Sequence, residues 1–201
     1  MSRNEPNSAG ITGEDAKDVR SMQLVRAGDT GAFEELVERH QRLVTGIVAR
    51  MLGNNSEVED IAQQVFVRVW KSAKRYVPRA KFTTWLLKIT RNLVFNELRR
   101  RSRHSQLPLH VESEEEERPI KDERATAPDA LLLERELQCA IETAMAQLPE
   151  TQRMVVALRR YNELSYEEIA DVLGQSVPAV KSLLFRARSE LRVRSSLYLA
   201  N

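Results

Sequence analysis

A single cysteine, Cys139, stands in 201 residues. That excludes an internal disulfide and any zinc site built on several thiolates. The three histidines, His40, His104 and His110, have no metal-ligand spacing to one another or to Cys139, so neither a metal nor another cofactor is expected. Glycine and proline number seven each and aromatic residues make up 5%. Such scarcity disfavours a many-turned β architecture and points to long helices. No run approaches the roughly 20 apolar residues of a membrane-spanning helix, and Met1–Gly13 is polar, without the apolar centre of a signal peptide. A cytoplasmic protein is expected. Also lacking are a phosphate-cradling glycine loop, a nucleophile motif and a metal cluster. No catalytic residue, small-molecule substrate or enzymatic activity is therefore expected.

What is present is charge, and it is segregated. Charged residues make up 30% of the chain and hydrophobic residues 42%, with a formal net charge of only +2. Arg99, Arg100, Arg101 and Arg103 form one basic block, and Glu112 with Glu114 to Glu117 an acidic one. Lys181, Arg186, Arg188, Arg192 and Arg194 form a second basic run. Two basic poles about an acidic middle suggest two anion-binding surfaces and a spacer.

The periodicity is helical throughout. Residues 1–15 read as a flexible tail. A short helix is expected over Asp18–Ala27, stopped by Gly28. A longer one is capped by Asp29 or Thr30 and carries Phe33, Leu36, Val37, Leu43, Val44, Ile47, Val48, Met51 and Leu52 to Gly53. Ser56 and Glu59 have the spacing of a capping box. The helix after them turns Ile61, Val65, Phe66, Val69 and Trp70 inward. A turn over 77–81 contains Pro78, and the fourth helix has Trp85, Leu86, Ile89, Leu93, Val94 and Leu98 as its stripe. Residues 104–129 read as a linker. Helix is expected again from Ala130 to Gln147, where Cys139 fits a buried apolar position, and from Glu150 to about Tyr161. The expected fold is all-α: two small helical bundles, 16–103 and 130–201, on a flexible acidic tether.

Leu164 to Arg194 is the most informative stretch. Ser165 and Glu168 form a second capping box, Ile169, Ala170 and Leu173 give an inner face, and Gly174 supplies a left-handed stop. Ser176 caps the next helix, Pro178 is tolerated in its first turn, and Val180 and Leu184 point back. This is a helix-turn-helix, whose second helix enters the major groove. Ala179, Lys181, Ser182, Phe185, Arg186 and Arg188 are its outward candidates. The cations suit phosphates, and Ser182 and Lys181 suit base edges.

These residues resemble a family. Leu148-Pro149-Glu150, Gln152-Arg153, Leu164 to Ala170, Val180-Lys181-Ser182 and Arg186-Ala187-Arg188 look like domain four of the extracytoplasmic-function RNA polymerase sigma factors. Glu59 to Phe66 with Val69-Trp70, and Phe82, Trp85-Leu86, Arg91-Asn92 and Arg99-Arg100, look like domain two. The resemblance implies a protein that binds core RNA polymerase and directs initiation at chosen promoters. It implies polymerase contacts at Asp60, Gln63, Gln64 and Phe66. It implies −10 contacts at Tyr76, Arg79, Lys81, Lys88, Arg91, Asn92, Asn96, Arg99 and Arg100. The −35 element would be read by Ser176, Pro178, Ala179, Lys181, Ser182, Phe185, Arg186 and Arg188. Promoter DNA, core RNA polymerase and an anti-sigma protein are the partners implied. Trp85 fits the core or a stacking platform, and the linker an ordered strand or a solvated tether. The two domains can clamp a partner or close on each other.

Gln64 departs from the acidic residue usual there, which removes one possible ion pair with the polymerase; Pro178, Ala179 and Leu183 stand where Gly, Thr and Arg are common, which puts the −35 sequence in doubt. A stand-alone dimeric helix-turn-helix regulator would explain Leu164–Arg194 but leave Glu59–Trp70 and Phe82–Arg103 without a role.

Overall fold

The computed structural model describes residues 13–53, 56–78, 80–105 and 140–199, and among these there is helix and turn but no strand. Four long elements build the first half: α1 (Gly13–Arg26), α2 (Thr30–Leu52), α3 (Glu57–Ser72) and α4 (Phe82–Ser105), with a 3₁₀ turn at Ala73–Arg75. The second half has helix over 140–146 (α5), then α6 (Glu150–Val156) running into a π-helical turn at Ala157–Tyr161. The helix-turn-helix pair follows, α7 (Tyr166–Leu173) and α8 (Val177–Leu199).

Each boundary has a local cause. Asp29 caps α2, its carboxylate accepting from the Ala32 N–H at 3.0 Å. Gly53 ends α2 with φ +82, its N–H bonded to the Ala49 carbonyl. The expected capping box at Ser56 does not form, because Ser56 is itself helical (φ −58, ψ −24) and its hydroxyl makes no cap bond. Glu57 one residue on turns to arginines of α4 instead. The first helix starts at Gly13, five residues before the expected Asp18, and buries Asp15 and Asp18. Trp70, expected inside, is 37% exposed on α3 and meets Phe33 edge-on at 5.1 Å. Helix α4 runs on through His104 and Ser105, where the linker was expected to begin; residues 106–129 of that linker, the helical start at Ala130, Cys139 and Arg79 lie outside the described residues.

Packing joins the two halves. Helix α2 lies against α1, α3 and α4, and α6 and α7 lie against α8; α4 also packs on α7, and α2 on α6. The core is continuous, from Met22, Leu36, Ile47, Met51, Val65, Phe82 and Leu86 to Met154, Leu158, Ile169, Val172, Val180 and Leu184. Burial of this apolar set is the main driving force for the arrangement. Its consequence for function is that the helix-turn-helix sits on α4.

Candidate nucleic-acid interface

The helix-turn-helix is built as its sequence dictates. The Glu168 N–H donates to Ser165 Oγ at 3.1 Å, and the Ser165 N–H donates to Glu168 Oε2 at 2.8 Å, completing the box. Gly174 closes α7 in the left-handed region (φ +65), and the Gln175 N–H returns to the Ala170 carbonyl at 2.9 Å. Val180, Leu184 and Ala187 hold α8 to the core. Its opposite face presents Lys181, Ser182, Phe185, Arg186 and Arg188 to solvent, with Phe185 73% exposed. Ser176 and Pro178 are exposed at the start of α8, and Ala179 is half-buried with its N–H 3.4 Å from Ser176 Oγ. Leu183, one of the departures from the family pattern, is half-buried against the core rather than on the outward face.

On α3, Asp60, Gln63 and Gln64 are exposed, and Val67 (48%) and Trp70 extend the same surface with apolar area. Phe66 is not part of it. Its ring is 8% exposed and belongs to the core, because its place on the helix follows Val65 onto the inner stripe.

The loop before α4 and α4 itself carry the third set. Tyr76 is buried among Phe82 (6.2 Å between ring centroids) and Trp85 (5.0 Å), so it is a core residue and not a surface platform. Burial first, and then the Asp18 and Asp15 carboxylates, push its hydroxyl up to about 12. Trp85 is half-buried in the same aromatic group. Asn92, Asn96, Arg99 and Arg100 are exposed, whereas Lys88 and Arg91, expected in solvent, are half-buried where α7 covers them. Lys88 Nζ lies 2.6 Å from Asp171 Oδ1, and Lys81 Nζ lies 2.9 Å from Glu168 Oε1. The hydrogen bond to Glu168 raises the Lys81 pKa. Burial pushes Glu168 up, but the Ser165 N–H and Lys81 outweigh it and hold the carboxyl below its ordinary value.

The arginine block is more occupied than its sequence suggests. Arg100 pairs with Glu57 and Glu97, each at 2.8 Å. Arg101 pairs with Glu57 and reaches Glu97 at 3.2 Å. The Arg100 and Arg101 guanidiniums hold the Glu97 carboxyl below the usual carboxylate range, against the opposing effect of its burial. Arg99 and Arg103 donate to carbonyls of their own helix, at Phe95 and Arg99.

Sequence reading missed Asp18, Arg39 and His40. Asp18 is 4% exposed and lies 2.6 Å from Arg39 Nη1 and 2.8 Å from His40 Nε2. The partners are 21 and 22 residues apart on different helices, so no local spacing announces them. The carboxylates of α7 were equally hidden, since Glu168 already had a capping role and nothing local singles out Asp171. Among the described residues no group of histidine, cysteine and carboxylates could hold a metal, and no helix is long and apolar enough to cross a membrane.

Comparison with known proteins fits this geometry. The family described as Sigma-70 region 2 matches residues 36–104, and that described as Sigma-70, region 4 matches residues 140–191. The RNA polymerase sigma-H factor of Pseudomonas aeruginosa is 31% identical over 179 residues, 87% of this chain and 92% of the relative. The ECF RNA polymerase sigma-E factor of Escherichia coli is 32% identical over 173 residues, 85% and 90% of the two chains. Among solved structures, CnrH in complex with the cytosolic domain of CnrY has a TM-score of 0.64 at 25% identity, covering 92% of this chain and 99% of that one. RpoE of Bartonella quintana, solved with the anti-sigma factor NepR, has a TM-score of 0.60 at 20% identity over 81% of this chain and 95% of that one.

A region-2 bundle followed by a region-4 helix-turn-helix is the layout of a transcription initiation factor. The chain belongs to the sigma-70 family of RNA polymerase sigma factors, in its extracytoplasmic-function group.

Proposed function

We propose that the chain acts by binding, not turnover, and that three separate surfaces divide the work of promoter-directed initiation. The outward face of α3, with Asp60, Gln63, Gln64, Val67 and Trp70, docks on core RNA polymerase. The outward face of α8, with Lys181, Ser182, Phe185, Arg186 and Arg188, enters the major groove at the −35 element. Lys81 just before α4 and the α4 face that continues from it, through Lys88, Arg91, Asn92 and Asn96 to Arg99, engage the −10 element once its strands part. Work with RNA polymerase places the protein in the cytoplasm. A protein regulator of the anti-sigma kind is part of the same proposal, supported by CnrH having been solved with a protein partner.

The observation that carries this reading is that α8 and α3 each turn one side to the core and keep the other side exposed. The second side of α8 is cationic and carries the solvent-exposed Phe185 ring, the chemistry of phosphate contact joined to base-edge contact. The test is transcription by core polymerase with and without the purified chain across a genomic promoter library. Discrete new start sites are expected. No association with core, from a folded chain, overturns the proposal.

A further inference from the structure

Three candidate −10 cations face one helix. Along α7, Glu168 meets Lys81 at 2.9 Å and Asp171 meets Lys88 at 2.6 Å. At the helix end Arg91, whose guanidinium donates to Asn92 Oδ1, comes within 3.9 Å of the position a Cβ would take on Gly174, a proximity and not a bond. The contacts follow the same chain order on both elements: 81, 88 and 91 against 168, 171 and 174. Two carboxylates and a helix C-terminus, which carries partial negative charge, thus stand against a lysine–lysine–arginine row. A nucleic-acid strand would offer the same row its phosphates.

We propose that α7 is an internal anionic ligand of the α4 face, occupying the cations that single-stranded DNA takes when the chain opens. This rests on the assignment of Lys81, Lys88 and Arg91 to the −10 element above. The far side of the junction is held differently. Arg153 Nη1 donates to the Met51 carbonyl at 2.8 Å, and the Arg50 guanidinium lies 3.9 Å from the centre of the Tyr161 ring. The edge of the junction that covers the −10 cations is therefore ionic, while the opposite edge is held by carbonyl and ring contacts. Covering is also selective: α8 keeps Lys181, Phe185 and Arg186 in solvent while α7 covers α4. The closed chain leaves its duplex-reading helix open and its strand-capturing face shut.

The double variant Glu168→Gln, Asp171→Asn isolates the two charges. Glutamine can replace glutamate in a capping box, and Asp171 is exposed, so α7 is expected to keep its fold, as far-ultraviolet circular dichroism checks. The full chain is treated briefly with an amine-acetylating reagent, and lysine modification is quantified by mass spectrometry, with exposed Lys74 as internal standard. In the parent, Lys81 and Lys88 should react several-fold more slowly than Lys74. In the variant they should approach it. In parallel, affinity for a fluorescein-labelled single-stranded dT20 should rise roughly fivefold, the scale of two half-exposed ion pairs. Unchanged lysine reactivity in a folded variant overturns the contact between α7 and α4. Raised reactivity with unchanged dT20 affinity overturns the competition and places the error in the −10 assignment.

Discussion

Arg153 donates to the Met51 carbonyl at the end of α2 and to the Leu148 carbonyl after α5, at 2.8 and 3.1 Å, and also bonds the Ala146 carbonyl. One guanidinium thereby satisfies orphan carbonyls at two helix C-termini that lie about a hundred residues apart in sequence. Only a planar fork with several donors can do this. Burial lowers the arginine's pKa, with Glu150 opposing. Arg153→Lys should cost about 1–2 kcal/mol and Arg153→Ala about 2–3 kcal/mol. Urea unfolding followed by circular dichroism measures this, and a lysine variant as stable as the parent would refute the bridging role.

Tyr76 offers a contrast. Its ring packs on Phe82 and Trp85, while its hydroxyl has no hydrogen-bond partner among the described protein groups. Tyr76→Phe should therefore change stability by less than about 0.5 kcal/mol or raise it slightly, whereas Tyr76→Ala should cost about 3–4 kcal/mol. Because the ring is internal, Tyr76→Phe should leave the promoter sequences selected in transcription unchanged.

Glu97 is the acidic centre of the arginine block, with its side chain 9% exposed. Glu97→Gln leaves Glu57 as the carboxylate shared by Arg100 and Arg101, with Arg101 keeping its bond to the Leu52 carbonyl. The loss should be about 1–2 kcal/mol, modest because water reaches both arginines. The same variant should tighten binding to single-stranded DNA, since it turns cationic surface from an internal partner to phosphate.

On α8, Phe185 and the arginines should separate in a salt titration. Arg186→Ala should weaken −35 duplex binding by the assembled holoenzyme for all sequences and reduce the slope of log affinity against log salt by about one. Phe185→Ala should leave the slope alone and relax base preference at one position. Equal slopes for Arg186→Ala and the parent would count against a phosphate contact.

Acid should open the chain. Glu168 has a folded pKa below its ordinary value, so its contribution is present above the ordinary glutamate range and is lost as pH falls through the folded value. The cleft it shares holds Asp15, Lys17, Asp18, Arg39, His40, Lys81 and Glu163. Small-angle scattering of the parent should show expansion on acidification below about pH 4.5, and Glu168→Gln should lose the part of that pH dependence that Glu168 carries. Identical pH profiles for the two would remove Glu168 from the closure.

The helix-turn-helix was legible because its determinants are local: Ser165, Glu168, Gly174 and Val180 act within one or two turns. The stripes of α2 and α4 were legible for the same reason of period. What the sequence concealed are pairings across long separations. Asp171 and Lys88 are 83 residues apart, and neither carries a spacing signal. Trp70 was misjudged because an aromatic beside an apolar stripe reads as core, although the helix turns it one position past the buried edge. Ser56 failed as a cap because capping needs an extended backbone, which residue type alone does not fix.

The chain has two tryptophans, and the fold has set them on different duties. Trp70 rests on Phe33 at the solvent side of α3, and Trp85 sits with Tyr76 and Phe82 beside the loop that leads into α4. The molecule therefore carries its own pair of optical reporters. Single replacements, Trp70→Phe or Trp85→Phe, leave one emitter apiece, so that engagement with polymerase and rearrangement around α4 can be timed separately in one stopped-flow instrument without an attached dye.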